Sequence, residues 1–159
     1  IIKKKIKLFL TDVDGVLTDG GMYYTETGDE IKKFNTRDGM AFELLRKAGI
    51  KTGIITSENT KIVETRAKKL QIDYLIQGQR EGGKLAAAKE ICYKESISLD
   101  EVAYIGDDIN CYELLCNVKI AGCPADAIDD IKLIPNIYQM KSNGGGGVVR
   151  EFTDSIILL

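Results

Sequence analysis

Histidine is missing altogether from this chain of 159 residues. Its absence excludes Ser-His-Asp and Cys-His nucleophilic catalysis, as well as zinc sites built on imidazole ligands. The cysteines form no CxxC pair, and their scattered spacing indicates reduced thiols of a cytoplasmic protein rather than a disulfide framework. There are four of them: Cys92, Cys111, Cys116 and Cys123.

The chain also lacks an apolar run of membrane-spanning length, a secretory signal peptide and an excess of one charge. Its 22 basic and 24 acidic side chains leave a net charge of −2, which argues against a nucleic-acid or membrane partner. The length suits one domain with a real hydrophobic core, and we assign residues 1–159 to it. Because the first residue is Ile1 rather than Met, we expect the chain to be trimmed or excised from a longer protein.

Short apolar segments alternate with helical patterns along the chain. The strands are predicted at 6–10, 51–57, 73–78, 102–106, 119–124 and 138–140, with a β-hairpin over 22–34. The helices are predicted at 39–49 (capped by Asp38), 59–72, 84–96, 111–118, 127–133 and 148–159. This order predicts a three-layer, Rossmann-like α/β fold, in which helices cover both faces of a parallel sheet. The hairpin forms a flap, and no segment is long enough for a cap domain.

Polar side chains follow the predicted strands at the edge where parallel sheets bind ligands. They are Asp12 and Asp14 after the first strand, Thr56, Ser57 and Glu58 after the second, Lys84 after the third, and Asp107 and Asp108 after the fourth. Crowded carboxylates repel one another, so we expect a divalent cation among them, and oxygen ligands favour Mg²⁺. One carboxylate can attack phosphorus and a second can transfer protons, while hydroxyl and ammonium groups neutralise the phosphoryl oxygens. Asp108 either belongs to this set or caps the next helix.

Four motifs in order resemble those of the haloacid dehalogenase phosphatases: DVDG at 12–15, Thr56, Lys84 and GDD at 106–108. The chain is most similar to the capless branch that acts on sugar-acid phosphates. This branch comprises the 3-deoxy-octulosonate 8-phosphate phosphatases and the nonulosonate 9-phosphate phosphatases. The segments that carry the resemblance are TDVDGVLTDGGMYY, KKFNTRDG, EVAYIGDD and GGGGVVREF, and it extends over essentially the whole chain.

The resemblance implies a role for each residue of the four motifs. Asp12 would be the nucleophile and a ligand of Mg²⁺, and Asp14 would be the general acid and base, with its main-chain carbonyl on the metal. Thr56 would hold the phosphoryl group, Lys84 would bridge that group to Asp12, and Asp107 would be the third protein ligand of the metal.

The resemblance also implies a homotetramer with the hairpin packed between subunits. The NGGGG segment at 143–147 and Arg150 would then lie over a neighbouring subunit's substrate, although the glycines are equally typical of a flexible joint. Ser57, Glu58, Lys69 and Arg150 are the expected substrate-binding residues. Glu58 stands where octulosonate phosphatases usually carry Arg, and together with Lys69 it favours a nonulosonate 9-phosphate such as deaminoneuraminate 9-phosphate.

Three positions depart from the family pattern. Ser57 replaces a glycine, Gly83 precedes Lys84 in a loop that is two residues longer, and Cys111 replaces an acid of the GDDxND motif. We expect the change at Cys111 to weaken metal binding at most. Two alternatives to a phosphatase remain open. One is a weak or inactive tetramerisation domain of an acylneuraminate cytidylyltransferase, and the other is a phospho-acceptor receiver domain, against which the DxDG order argues.

Overall fold

A parallel sheet runs through the centre of the computed structural model, which describes residues 5–80 and 82–159. The strands of this part are β1 (Leu8–Thr11), β2 (Tyr23–Tyr24), β3 (Glu30–Ile31), β4 (Lys51–Ile55), β5 (Tyr74–Ile76), β6 (Val102–Ile105), β7 (Ile120–Cys123) and β8 (Tyr138–Gln139). Six of the strands described form one sheet in the order β5-β4-β1-β6-β7-β8, with every neighbouring pair parallel. The other two, β2 and β3, pair antiparallel as the predicted hairpin. Residues 1–4 and Glu81 of the assigned domain lie outside the described residues.

Helices cover both faces of the sheet, as the alternating pattern predicts. They are α1 (Thr36–Lys47), α2 (Lys61–Lys69), α3 (Gly83–Glu95), α4 (Tyr112–Leu115), α5 (Asp129–Lys132) and α6 (Val148–Phe152). Successive side chains of a strand point to opposite faces, so Phe9 of β1 packs in one hydrophobic cluster with Phe42 and Phe152. Leu8 and Leu10 pack in a second cluster on the other face, against residues of α3, α4 and α5. The predicted three-layer fold is therefore confirmed.

The start of α1 corrects one prediction. Its N-cap is Asn35, whose side chain accepts a hydrogen bond from Arg37 N at 2.8 Å. Asp38 is instead buried in the first turn, where its carboxylate accepts a hydrogen bond from Arg150 N at 3.0 Å. Burial raises the pKa of Asp38 to about 6. The expected cap is therefore a tertiary contact that joins α1 to the start of α6.

The connections leave the carboxyl edge of the sheet uncovered by a second domain. Between β1 and α1 the described chain holds only the hairpin, and between β4 and α3 only α2 and β5. The predicted closing helix over 148–159 is α-helical only in its first half, as α6. A π-helical turn over Thr153–Ile157 follows it. Within residues 5–80 and 82–159, no helix is long and apolar enough to cross a membrane.

Candidate active site

A cavity of about 140 Å³ lies at the carboxyl edge of the sheet. Strands β1, β4 and β6 are neighbours and parallel, so the residues after them meet at this point. The cavity, here called the catalytic pocket, is lined by Asp12, Asp14, Thr56, Ser57, Glu58, Asp107, Asp108 and Asn110. Residues distant in sequence are thus brought together as the strand ends predict.

Lys84 completes this group from the start of α3. Its Nζ lies 3.0 Å from Asp12 Oδ1, and both side chains are buried. Burial lowers the pKa of Lys84, but the Asp12 carboxylate outweighs this effect and holds that pKa above its ordinary value. Lys84 therefore stays an ammonium group in contact with the carboxylate of Asp12.

Asp107 carries the clearest sign that a positive charge belongs in this pocket. Its Oδ1 is buried and has no hydrogen-bond partner among the residues described. Burial, and then the neighbouring Asp12 carboxylate, raises the pKa of Asp107 to about 8. Gly15 has φ +84, and a Cβ there would overlap Asp107 Oδ2, so the DVDG loop lies directly against this carboxylate. A divalent cation between Asp12 and Asp107 would pair the orphaned oxygen of Asp107 and favour the ionised form of that carboxyl group.

Cys111 lies between the two charged groups of the site. Its buried thiol donates a hydrogen bond to Asp12 Oδ2 at 3.3 Å, and its Sγ accepts one from Lys84 Nζ at 3.5 Å. Burial, followed by the charge of Asp12, raises the pKa of Cys111 to about 12, so the side chain is a neutral thiol. Oxygens of Asp12 and Asp107 and the Cys111 sulfur all lie within 4.8 Å of one another. The motif comparison identified a missing carboxylate here but not this bridging contact.

Asp14 has a partner that the sequence analysis missed. Its Oδ1 accepts a hydrogen bond from Lys32 Nζ at 2.7 Å, and Lys32 Nζ also lies 3.2 Å from Glu30 Oε1. The Lys32 side chain is only 2% exposed. Burial lowers the pKa of Lys32, but Asp14 and Glu30 outweigh it and raise that pKa overall. The alternation of strand side chains was a usable signal, since it places Glu30 and Lys32 on the same face of the hairpin.

The remaining wall of the pocket is polar. The Thr56 hydroxyl is buried and accepts a hydrogen bond from Glu58 N at 3.3 Å. Asn110 Nδ2 donates to Ser57 Oγ at 2.9 Å, which ties the loop after β6 to the loop after β4. Asp108 Oδ1 accepts from Ile109 N at 2.6 Å and caps the short 3₁₀ turn Ile109–Cys111. Asp108 thus caps a helical turn and also lines the pocket.

Two expected substrate-binding residues do not lie in the catalytic pocket of the chain as described. Lys69 is exposed in the last turn of α2, ~12 Å along the helix axis from Lys61 at its start. Arg150 lies on α6, and its Nε donates to Asp154 Oδ2 in the following π-helical turn at 2.8 Å. Any contact of either side chain with a substrate would have to be made outside this pocket.

The glycine-rich segment packs against the loop that carries Asp12 and Asp14. Gly145 N donates a hydrogen bond to Val16 O at 3.0 Å, and a Cβ on Gly144 would overlap the carbonyl of Gly15. Gly145 also has φ +75, a conformation that favours glycine. Close backbone approach therefore explains Gly144 and Gly145 better than a flexible joint does.

Comparisons with known proteins agree with this geometry. No protein-family model matches the chain. A curated relative, the 3-deoxy-D-manno-octulosonate 8-phosphate phosphatase KdsC of Escherichia coli K12, is 38% identical over 156 residues, which cover 98% of this chain and 81% of the relative. The crystal structure of the Moraxella catarrhalis octulosonate phosphatase, in complex with a magnesium ion, a phosphate ion and a KDO molecule, has a TM-score of 0.91 and 35% identity, covering 98% of this chain and 87% of that one. The structure of a putative haloacid dehalogenase (HAD) superfamily hydrolase (subfamily III A) from Legionella pneumophila has a TM-score of 0.90 and 34% identity, covering 96% and 82%.

Proposed function

Because the chain belongs to the 3-deoxy-D-manno-octulosonate 8-phosphate phosphatase family of the HAD superfamily, we propose that it removes the phosphate of a sugar-acid phosphate. The first candidate substrate is 3-deoxy-octulosonate 8-phosphate, which the related enzymes' names give. The observation that carries the proposal is the buried Lys84–Asp12 pair beside Asp107, in one pocket with Asp14 and Thr56. This is a complete set of groups for phosphoryl transfer.

The donor atoms of the pocket fit the magnesium that the related Moraxella structure holds. Asp12, Asp107 and the main-chain carbonyl of Asp14 would be its protein ligands. The unpartnered Asp107 Oδ1 supports this assignment, as does the preference of Mg²⁺ for one or two carboxylates together with phosphate oxygens. When bound, Mg²⁺ neutralises negative charge on the phosphoryl oxygens.

The first half of the reaction transfers the phosphoryl group to the enzyme. A carboxylate oxygen of Asp12 attacks the phosphorus, and the bond from phosphorus to the sugar oxygen breaks with its electron pair on that oxygen. Asp14, as general acid, donates a proton to the leaving oxygen. The Thr56 hydroxyl and the Lys84 ammonium group stabilise the charge on the phosphoryl oxygens.

The second half releases phosphate. Asp14, now a carboxylate, accepts a proton from a water molecule as that water attacks the phosphorus of the aspartyl-phosphate. The acyl phosphate bond breaks, and inorganic phosphate leaves. Asp12 is then again a carboxylate and Asp14 again an acid, so one water molecule is consumed for each phosphate released.

A nonulosonate 9-phosphate is the second candidate substrate, and one residue of the site supports it. Glu58 lines the catalytic pocket, where octulosonate phosphatases usually carry Arg. Its expected companion Lys69 lies outside this pocket, however, so the pair that favoured the nine-carbon acid is not assembled in the described chain. The octulosonate ester is therefore placed first.

A homotetramer is part of the same proposal, and the hairpin supports it. Four large hydrophobic side chains of the hairpin region are 42–61% exposed: Met22, Tyr23, Tyr24 and Ile31. Several large apolar side chains exposed on one short hairpin are typical of a subunit interface. Light scattering should give four chains per particle, and Tyr24→Glu should lower that number.

The expected cytoplasmic location is supported by the cysteines, which form no disulfide among the described residues: Cys92, Cys111, Cys116 and Cys123.

The test of the proposed function is a comparison of kcat/KM with Mg²⁺ over three esters. They are octulosonate 8-phosphate, deaminoneuraminate 9-phosphate and N-acetylneuraminate 9-phosphate, with p-nitrophenyl phosphate as a general phosphatase substrate. We expect turnover of the aryl ester and the highest kcat/KM for octulosonate 8-phosphate. Failure to hydrolyse any of the four would contradict the phosphatase proposal and favour the alternative of a non-catalytic tetramerisation domain.

A further inference from the structure

Cys111 and the two carboxylates beside it form a mixed set of possible metal ligands. Oxygens of Asp12 and Asp107 and the Cys111 sulfur all lie within 4.8 Å of one another. Cys111 is fully buried, whereas both carboxylates line the catalytic pocket, so a cation that enters through the pocket can reach the sulfur. Mg²⁺ prefers oxygen ligands, while Zn²⁺ and similar ions also bind thiolate sulfur.

The spacing of sulfur and oxygen suits a tetrahedral ion. Cys111 Sγ lies 3.3 Å from Asp12 Oδ2. With a zinc–sulfur bond of ~2.3 Å and a zinc–oxygen bond of ~2.1 Å, two ligands at the tetrahedral angle stand ~3.6 Å apart. The two atoms are therefore within a few tenths of an ångström of the separation that such an ion needs.

Two buried polar groups beside Cys111 have no hydrogen-bond partner among the residues described, and a metal-bound thiolate would satisfy both. One is Asp107 Oδ1 and the other is the Tyr104 hydroxyl. Tyr104 is fully buried with its hydroxyl beside the thiol, and a Cβ on Gly106 would touch both its ring and the Cys111 sulfur. A cation would pair the Asp107 oxygen, and the thiolate would accept the hydroxyl hydrogen, as outer groups commonly do for metal ligands.

The charges of the site also balance around such an ion. A Cys111 thiolate and the carboxylates of Asp12 and Asp107 are matched by a divalent cation together with the Lys84 ammonium group. Lys84 Nζ lies 3.0 Å from Asp12 Oδ1 and 3.5 Å from Cys111 Sγ, so it contacts two of the three ligands. On coordination the S–H bond is replaced by a bond from sulfur to the metal, and the proton passes to solvent.

We propose that Asp12, Asp107 and Cys111 form a site for a thiolate-binding divalent cation of the Zn²⁺ class, which competes with Mg²⁺ and inhibits the enzyme. A tetrahedral ion on these three ligands keeps one open position, too few for the Asp14 carbonyl and a phosphate oxygen together. Mg²⁺ is octahedral and keeps more positions for water and phosphate. The binding is independent of catalysis, whereas the inhibition rests on the proposed phosphatase function.

Cobalt spectroscopy of the metal-free full chain tests the sulfur ligand directly. Co²⁺ bound through a thiolate shows a near-ultraviolet charge-transfer band, which Co²⁺ on oxygen ligands alone lacks. The wild type should show this band, Cys111→Ser should lose it, and Cys116→Ser should keep it. Cys116 is the matched control, because its thiol is exposed and lies outside this set of ligands. Absence of the band in the wild type, or its loss in Cys116→Ser, would overturn the site.

Calorimetry with Zn²⁺ alone measures the strength of the site. Cys111→Ser should bind Zn²⁺ at least about 100-fold more weakly than the wild type, since losing a group that merely supports a ligand already costs roughly 10- to 100-fold. Its affinity for Mg²⁺ should change far less, because Mg²⁺ does not use the sulfur. Asp107→Asn keeps the thiol and should also bind Zn²⁺ more weakly. If circular dichroism shows that Cys111→Ser is unfolded, Asp107→Asn and the cobalt spectrum of the wild type decide the question. Equal Zn²⁺ affinity in the wild type and the folded variants would contradict the site.

Inhibition separates the site from the proposed function. With p-nitrophenyl phosphate and Mg²⁺, half-inhibition of Cys111→Ser should need at least about tenfold more Zn²⁺ than half-inhibition of the wild type; equal values would refute the competition. If the wild type hydrolyses no ester but shows the cobalt band, the phosphatase function fails and the metal site stands. If it hydrolyses the ester but shows no cobalt band, the function stands and the metal site is wrong.

Discussion

The thiol of Cys111 donates a hydrogen bond to Oδ2 of Asp12 at 3.3 Å, while Lys84 holds the other carboxylate oxygen at 3.0 Å. Both oxygens of the proposed nucleophile are thus occupied by donors of this chain. Because a neutral thiol stands where the resemblance to the GDDxND motif implies an acid, the site has one negative charge fewer beside Asp12 and Asp107 than that motif would give it. This reduces the repulsion between carboxylates in the metal-free protein and reduces the attraction for a cation.

The charge at position 111 should therefore set the affinity for magnesium. Cys111→Asp is expected to lower the Mg²⁺ concentration for half-maximal activation by roughly tenfold, the size of effect seen for groups that support metal ligands. In chelator, the same variant should melt at a lower temperature than the wild type, because three carboxylates then crowd together. Mg²⁺-dependent melting curves and activation curves measure both effects. Cys111→Ser keeps a neutral hydrogen-bond donor; it is the control and should resemble the wild type. If Cys111→Asp needs the same Mg²⁺ concentration for half-maximal activation as the wild type, the charge at position 111 does not set the affinity.

Removing the proposed nucleophile, Asp12, should abolish turnover without unfolding the protein. In Asp12→Asn the amide oxygen cannot form the acyl phosphate, so kcat should fall by at least ~1,000-fold, about 4 kcal/mol of barrier. Circular dichroism should show an unchanged fold, because the two hydrophobic clusters do not depend on this carboxylate. Residual activity within about tenfold of the wild type, only ~1.4 kcal/mol of barrier, would rule out the covalent mechanism.

The metal-free protein should lose stability as the pH rises. The pKa of Asp107 is raised from 3.8 to about 8 by burial and by Asp12. Between these two pKa values the carboxyl group of Asp107 is ionised in the unfolded chain but keeps its proton in the folded chain. The free energy of unfolding therefore decreases from about pH 4 to about pH 8. Asp38, with its pKa raised to about 6, adds to the decrease over the lower part of this range.

Thermal melting in chelator at several pH values measures this slope. In Asp107→Asn the melting temperature should change little with pH above about pH 6, where Asp38 no longer contributes. Magnesium binding displaces the same proton, so the stabilisation by Mg²⁺ should increase with pH up to about 8. An Asp107→Asn protein with the slope of the wild type would show that another group is responsible.

Lys32 should be needed to hold the proposed acid in place. Lys32→Ala leaves the carboxylates of Asp14 and Glu30 without their common partner, which should cost about 1–3 kcal/mol of stability. The value of kcat should fall as well, because Asp14 loses its fixed position. Lys33→Ala is the matched control, since Lys33 is the next residue in the chain and its side chain is exposed. Removing it should lower the free energy of unfolding by less than about 0.5 kcal/mol. Equal urea midpoints for the two variants would contradict the assigned role of Lys32.

The glycine-rich segment should tolerate substitution at one position and not at another. Gly144→Ala places a methyl group on the carbonyl of Gly15, so the DVDG loop must shift, at a cost of about 1–3 kcal/mol and with a fall in kcat. Gly146→Ala is the control, because its nearest neighbour would be Asn143 O at 3.1 Å, outside the DVDG loop. Comparable activity in both variants would show that the close approach of Gly144 is unimportant.

The strands and most helices could be predicted because their patterns are local. The apolar run before Asp12 forms β1, and the alternation of strands and helices places Asp12, Thr56 and Asp107 at one edge of the sheet. The start of α1 could not be predicted in this way, because Asp38 satisfies Arg150 N, 112 residues further along the chain. A local capping rule does not include such a partner.

The contacts of the site were less predictable than its members. The family resemblance implies that Lys84 lies near Asp12, but the bridge through Cys111 depends on how closely the loop after β6 approaches both. The role of Lys69 stays a prediction, because its place in the last turn of α2 puts it outside the catalytic pocket of the described chain. Sequence resemblance indicates which residues a family uses but not whether one chain alone brings them together.

The hydrogen bond from Gly145 N to Val16 O bears on when, during synthesis of the chain, the catalytic pocket becomes complete. Ribosomes synthesise the loop that carries Asp12, the proposed nucleophile, before they synthesise the glycines that contact this loop. A nascent chain that has released β1 to β7 therefore carries Asp12 in a loop still lacking its support from Gly144 and Gly145. Because domains fold as the chain emerges, catalytic competence is expected only after synthesis has passed α6, so unfinished chains would leave sugar phosphates untouched.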